Sequence, residues 1–149
     1  MLNDLERRST TMELKKPKPL SYAETVRFHG HDGPFLALGY RLGRHLVKEF
    51  KPKGIMGLRI LLRAKIEKPY SCILDGLQCS TLATFGKGNI SAVRCRSGCI
   101  IVVVQAGRRK LTYRMTPYSW SLCLHQKDLK EAARKVLRAP MGELWCRKM

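Results

Sequence analysis

The sequence predicts an α+β domain, an antiparallel-rich sheet packed against helices on one side, and three observations predict it. Phe35, Leu38, Leu42, Leu46 and Phe50 recur at spacings of three and four, the signature of one apolar helix face. Between Leu58 and Ile66 the period drops to two, as a half-buried strand requires. Three further strand-sized segments, 91–95, 99–106 and 110–115, are separated by turn residues at Ser97-Gly98 and Gly107-Arg108, which predicts a meander. At 149 residues and 44% hydrophobic content, the chain can enclose one core in a single domain.

In chain order, residues 1–20 read as a basic, flexible, solvated tail ahead of a domain over 21–149. The opening MLNDLERRSTTMELKKPKP has no apolar core of the kind a secretory signal needs, and Met12 could serve as an alternative start. Tyr22 to Phe28 predicts a short helix leading into a histidine loop. The main helix begins at Gly33 or Pro34, since proline suits a first turn. It runs to Phe50, where Lys51-Pro52-Lys53-Gly54 ends it. Gly39 and Gly43 would let another element approach this helix closely, with tight core packing the simpler reading.

The strand that follows puts Leu58, Ile60, Leu62, Ala64 and Ile66 on one face, and Arg59, Leu61, Arg63 and Lys65 on the other. A helix over Ser71 to Leu82 is buried through Ile73, Leu74 and Leu77. Its second face carries Cys72, Asp75 and Cys79, because positions i, i+3 and i+7 align. Gly86-Lys87-Gly88-Asn89 is a turn, followed by the three strands. A last helix runs from about Asp128 to Arg138, with Asp128 and Glu131 spaced like a capping box. Its stripe is Leu129, Ala132, Ala133, Val136 and Leu137.

Two stretches carry chemistry. The first, FHGHDGPFLALGYRLG over 28–43, sets His29 and His31 one residue apart. In an extended segment both would point to one side, about 7 Å apart, toward a metal ion or substrate at a helix N-terminus. The second, SCILDGLQCSTLATFGKGNI over 71–90, supplies a thiol and a carboxylate on one helix face. A buried Asp75 needs partners, because an unpaired buried charge is costly. The Lys87 turn offers backbone N–H groups and a cation to a carboxylate or phosphate, or is an ordinary turn; it lacks phosphate-loop spacing. His45 and His125 read as solvent-facing, which leaves no evident general base.

Together the two stretches resemble the FmdE-like domains, a family named for formylmethanofuran dehydrogenase. There, H-G-H-x-C-P-G precedes a helix, and C-x-x-D-A-I-Q precedes a G-C-T-x-G-K-G-N turn. His29, Gly30, His31, Pro34, Gly39, Tyr40, Arg41 and Gly43 match the first pattern. Cys72, Asp75, Gln78, Thr84, Phe85, Gly86, Lys87, Gly88 and Asn89 match the second. The resemblance runs from about Ser21 to the closing GELWCRKM. Gly33 and Ala83 stand where the family has cysteines.

The resemblance implies a metal- or small-ligand-binding module, or an accessory subunit, linked to one-carbon metabolism. His29, His31 and Cys72 would hold zinc or iron with a fourth position open, a donor set that suits those metals. Asp75, Gln78, Thr84, Lys87 and Asn89 would bind the ligand, in one pocket with the histidines. Cys79, one turn before Ala83, is a candidate replacement for the missing thiol. A homodimer is implied, with the Gly39/Gly43 helix face as one contact, as is a place in a larger enzyme complex. The chain carries no molybdopterin or iron–sulfur motif, so a self-sufficient oxidoreductase is not expected, and a metal-assisted hydrolase is the enzymatic alternative.

A competing reading starts from the charge. With 29 Lys and Arg against 11 Asp and Glu, the formal charge is +18, and residues 76–127 hold 8 basic residues and no acid. Such a field attracts polyanions, so a degenerate family member binding nucleic acid or an acidic partner is the alternative. Aromatics interleaved on a basic strand, or a DNA-reading helix, are not evident. The six cysteines form no regular framework, so a disulfide scaffold is not expected. The Cys95-x-x-x-Cys99 spacing reads as half a zinc site or a redox pair. No apolar run approaches the roughly 20 residues that span a membrane, and the expected location is cytoplasmic.

Overall fold

The computed structural model describes residues 17–148, so residues 1–16 of the expected tail, and Met149, lie outside the described residues. The domain packs earlier than Ser21, because the Leu20 amide donates to the Cys79 carbonyl at 2.9 Å.

Helix α1 spans Tyr22–His29 and is held at its start by a capping box between Ser21 and Glu24. Gly30 ends it in the left-handed region, at φ 98°, which turns the chain sharply into the histidine loop. Helix α2, Pro34–Phe50, starts on a proline that needs no amide hydrogen and buries Leu38, Leu42 and Leu46 completely. Strand β1 is Arg59–Ala64 and helix α3 is Cys72–Thr81. Helices α2 and α3 touch backbone to backbone. A Cβ at Gly39 would fall on the Ile73 carbonyl, one at Gly76 on the Leu36 carbonyl, and one at Gly43 on the Ser80 hydroxyl. The Gly39/Gly43 face is therefore filled by the chain's own α3 and is not free for a dimer contact.

Strands β2 (Ile90–Arg94), β3 (Ile101–Ala106) and β4 (Arg109–Met115) follow, then helices α4 (Pro117–Cys123), α5 (Leu129–Arg138) and α6 (Met141–Leu144), and strand β5 (Trp145–Lys148). The sheet order is β2-β1-β3-β4-β5, parallel between β1 and β2 and antiparallel elsewhere. This corrects the expected meander. Helix α3 carries the chain back over the sheet, so β2 enters parallel on one edge of β1 while β3 takes the other edge. The architecture is α+β, with Ile60, Leu62, Ala64, Val102 and Val104 facing the helices.

Some expectations stop short of the structure. Ile66 lies beyond β1 and is 41% exposed, so the apolar alternation ends at Ala64. In α5, Asp128 accepts from the Glu131 amide, while Leu129 faces out and Ala132, Ala133 and Val136 face in. The C-terminus of α5 is capped from a distance, by Arg41 donating to the Val136, Leu137 and Ala139 carbonyls. Among the described residues no helix is long and apolar enough to cross a membrane.

Candidate metal centre

The histidines do not lie in an extended segment. His29 is the last residue of α1, and left-handed Gly30 folds His31 back beside it, with ring centroids 4.6 Å apart. Cys72, the first residue of α3, closes the group. One ligand atom from each of His29, His31 and Cys72 lies within 4.8 Å of the others. Metal–ligand bonds of about 2.0–2.3 Å place tetrahedral zinc ligands about 3.5 Å apart, so a small contraction suffices.

Hydrogen bonds orient both rings. His29 Nδ1 lies 2.6 Å from Asp75 Oδ2, and His31 Nδ1 lies 3.0 Å from the Asp32 carbonyl. Each Nδ1 faces an oxygen acceptor and donates to it, and in that tautomer of the neutral ring Nε2 carries the lone pair. His29 Nε2 is buried and has no hydrogen-bond partner. Burial pushes the Cys72 thiol up, the Asp75 carboxylate adds to the shift, and Lys68 opposes it. Asp75 is held in turn by the Gln78 amide at 3.4 Å, and the Gln78 carbonyl accepts from the Phe85 amide at 3.0 Å.

The cluster opens on a cavity of about 210 Å³ whose walls include Phe35, Leu36, Pro69, Leu124 and Leu129. His125 also lines it, exposed and left-handed at φ 57°, on a loop that Gln126 ties to the Ser121 and Leu124 carbonyls. The expectation that His125 simply faces solvent missed this role in the wall. No spacing connects it to His31 across more than 90 residues of chain; only the packing of α4 and its following loop does.

Thr84, Lys87 and Asn89 lie elsewhere. Helix α3 is about 15 Å long by its rise, and the turn sits beyond the end opposite Cys72. Lys87 Nζ donates to Thr84 Oγ1 at 2.9 Å, and the buried Asn89 amide bridges the Ile55 and Leu58 carbonyls. None of the three lines the cavity with the histidines. Gln78 reaches the site through Asp75 alone. Cys79 is buried against Thr25, whose hydroxyl it meets, and is not part of the cluster. His45, expected in solvent, is half-buried with its ring edge-on to Tyr113 at 5.8 Å.

The two non-cysteine positions differ in kind. A Cβ at Gly33 would meet nothing closer than the His31 ring at 3.6 Å, and its extended backbone accepts any residue. Ala83 is 1% exposed at the far end of α3. A thiol at 33 would face the cluster; one at 83 would not reach it.

Two imidazoles and a thiol, one imidazole nitrogen being buried and orphaned, make a donor set that fits a zinc or iron ion. The fold and this cluster define a small α+β domain with a three-donor, half-open candidate metal centre. The family model for FmdE, "Molybdenum formylmethanofuran dehydrogenase operon", matches residues 28–145, and the chain belongs to that family. A search of curated proteins found no match.

Proposed function

We propose that the protein is a metal-dependent ligand-binding module that holds zinc or iron on His29, His31 and Cys72. We take its role to be that of an accessory subunit or free-standing relative in one-carbon metabolism. The buried, unpartnered His29 Nε2 is the observation that carries this reading. A bound ion supplies a Lewis acid with one coordination position open.

The chain's own groups do the rest. Asp75 fixes the His29 tautomer and ring direction, as carboxylates behind metal-bound histidines do. Cys72 sits in the first turn of α3, where the helix dipole favours a thiolate against the burial that pushes the thiol up. Gly33 leaves the space beside His31 free on the cavity side, where a ligand could approach an ion held by the three residues. The cavity walls are mostly apolar, and His125 and Gln126 bring polar groups to the rim, a lining suited to a small ligand with one polar end. Gln78, Thr84, Lys87 and Asn89 brace the loop behind α3.

Cobalt(II) titration of protein carrying Cys95→Ser and Cys99→Ser tests the assignment. The expected result is a saturable thiolate-to-cobalt charge-transfer band at about one equivalent, lost in Cys72→Ser. A band that survives Cys72→Ser, or no band, refutes it.

A second reading has its own support. The face of the sheet away from the helices presents Arg59, Arg63, Lys110, Arg114 and Lys148, all exposed, and no acid among its described residues. Such a one-sided field suits a polyanion such as nucleic acid. Binding of a duplex to this face should weaken steeply with salt, and Arg63→Ala with Arg114→Ala should flatten that slope. Binding that is unchanged by both substitutions removes this reading.

A further inference from the structure

We propose that Cys95 and Cys99 form a reversible dithiol–disulfide site that exchanges with small anionic disulfides, separate from the His29 cluster. The two sulfurs lie 3.0 Å apart. Ser97 Oγ sits between them, 3.1 Å from the Cys95 sulfur and 2.9 Å from the Cys99 sulfur. The turn that joins them is made for this approach. Gly98 takes φ 68°, a left-handed conformation other residues resist, and bends the chain so that positions four apart meet.

Both ends of the turn are pinned to the sheet. The Cys95 amide donates to the Ala64 carbonyl at 3.0 Å, and the Ile100 carbonyl accepts from the Met115 amide at 3.0 Å. The thiol pair is thus preorganised rather than sampled.

Hydrogen bonds within the pair favour a thiolate there, and Cys95 is the thiol that opens on a surface groove. The Cys95 thiol is brought down to about 7, chiefly by the Cys99 hydrogen bond and then by Ser97. Burial pushes Cys72, Cys79 and Cys123 the other way, the last up to about 12. Cys95 also shares this groove with Lys65, Arg94 and Arg96, three cations against the single carboxylate of Glu67, a balance that favours an anionic reagent. Among the described residues no third His, Cys, Asp or Glu joins the pair in a metal-ligating group, which favours thiol exchange over zinc.

The reaction balances without any further reagent. The Cys95 thiolate attacks one sulfur of a small disulfide; that S–S bond breaks, and the departing thiolate takes a proton from water. The Cys99 thiol gives up its proton and attacks the Cys95 sulfur of the mixed disulfide, releasing the second small thiol. Two protein thiols are oxidised to one disulfide while one small disulfide is reduced to two thiols.

The test uses the full chain, equilibrated in glutathione and glutathione disulfide at stepped ratios, then acid-quenched, alkylated and digested with trypsin. Cleavage after Arg96 separates the two cysteines, so their disulfide appears as a cross-linked peptide pair. The expected result is that cross-link, rising reversibly with the oxidised fraction and absent after reduction. Cys99→Ser, in a Cys146→Ser background, should accumulate one glutathione on Cys95. At pH 7 Cys95 should react about threefold faster than an ordinary exposed thiol, its larger thiolate fraction outweighing its lower nucleophilicity. No cross-link at any ratio, or alkylation of Cys95 with the pH midpoint of an ordinary thiol, overturns the proposal.

Discussion

His29 and Asp75, 46 residues apart in sequence, are joined at 2.6 Å through Nδ1, and this contact commits the opposite ring nitrogen to a buried place without a protein partner. An unpaired buried polar atom costs about 1–3 kcal/mol. A ligand atom of His29 lies within 4.8 Å of one from each of His31 and Cys72, and an ion held through this nitrogen would satisfy it. Asp75 is then a positioning residue. Asp75→Asn should weaken zinc binding by about 10–100-fold while the fold survives, measured by competition with a chromophoric chelator. Unchanged affinity would show that the carboxylate does not orient the ring.

Position 33 offers the converse experiment. Space beside the His31 ring accepts a side chain, so Gly33→Cys should add a fourth donor and tighten zinc by tenfold or more, about 1.4 kcal/mol. Ala83→Cys adds a thiol at the far end of α3 and should leave affinity unchanged. The same chelator competition reads both variants.

Stability should fall toward acid through His45. Burial holds its imidazolium pKa below the usual value, with Arg147, Lys48 and Arg41 adding to the shift and Glu49 opposing it. The unfolded chain then binds more protons than the folded one below about pH 6.5, so stability rises with pH across that window. His45→Gln should flatten the change in urea midpoint between pH 5 and pH 7. A slope as steep as that of the parent protein would place the acid sensitivity elsewhere.

The α2–α3 contact makes a sharp mechanical prediction. Gly39→Ala would drive a Cβ into the Ile73 carbonyl, and two backbones must part to admit it. A loss of about 3 kcal/mol or more is expected, at the upper end of overpacking costs. Gly142→Ala in α6 meets nothing within 4 Å and should be neutral or stabilise slightly. Thermal melts of the two variants make the comparison.

What was legible in the sequence follows physical range. The α2 stripe and the strand alternation are local patterns, and the structure keeps them within a residue or two, whereas the expected extended histidine segment is a helix end folded back at Gly30. Parallel pairing of β2 with β1 was not legible, because alternation is the same in either direction and only the α3 crossover decides. Strand β5 reads WCRK, too short to announce itself, and it pairs with β4 from the end of the chain. At the site, the grouping of His29, His31 and Cys72 was legible because Gly30 marks the end of α1 and Cys72 opens α3. His125 was not, since a cavity wall made by packing leaves no spacing. Lys87 misled for a related reason: a turn rich in glycine looks like a ligand cradle whatever side of the helix it occupies.

The most direct measurement is the metal content of protein purified without a histidine tag and lacking the Cys95 and Cys99 thiols. About one zinc or iron per chain is predicted, lost in both His29→Ala and Cys72→Ser while the circular dichroism spectrum stays that of the folded domain. A folded protein without metal, or metal that persists in both variants, would contradict a centre built on His29, His31 and Cys72.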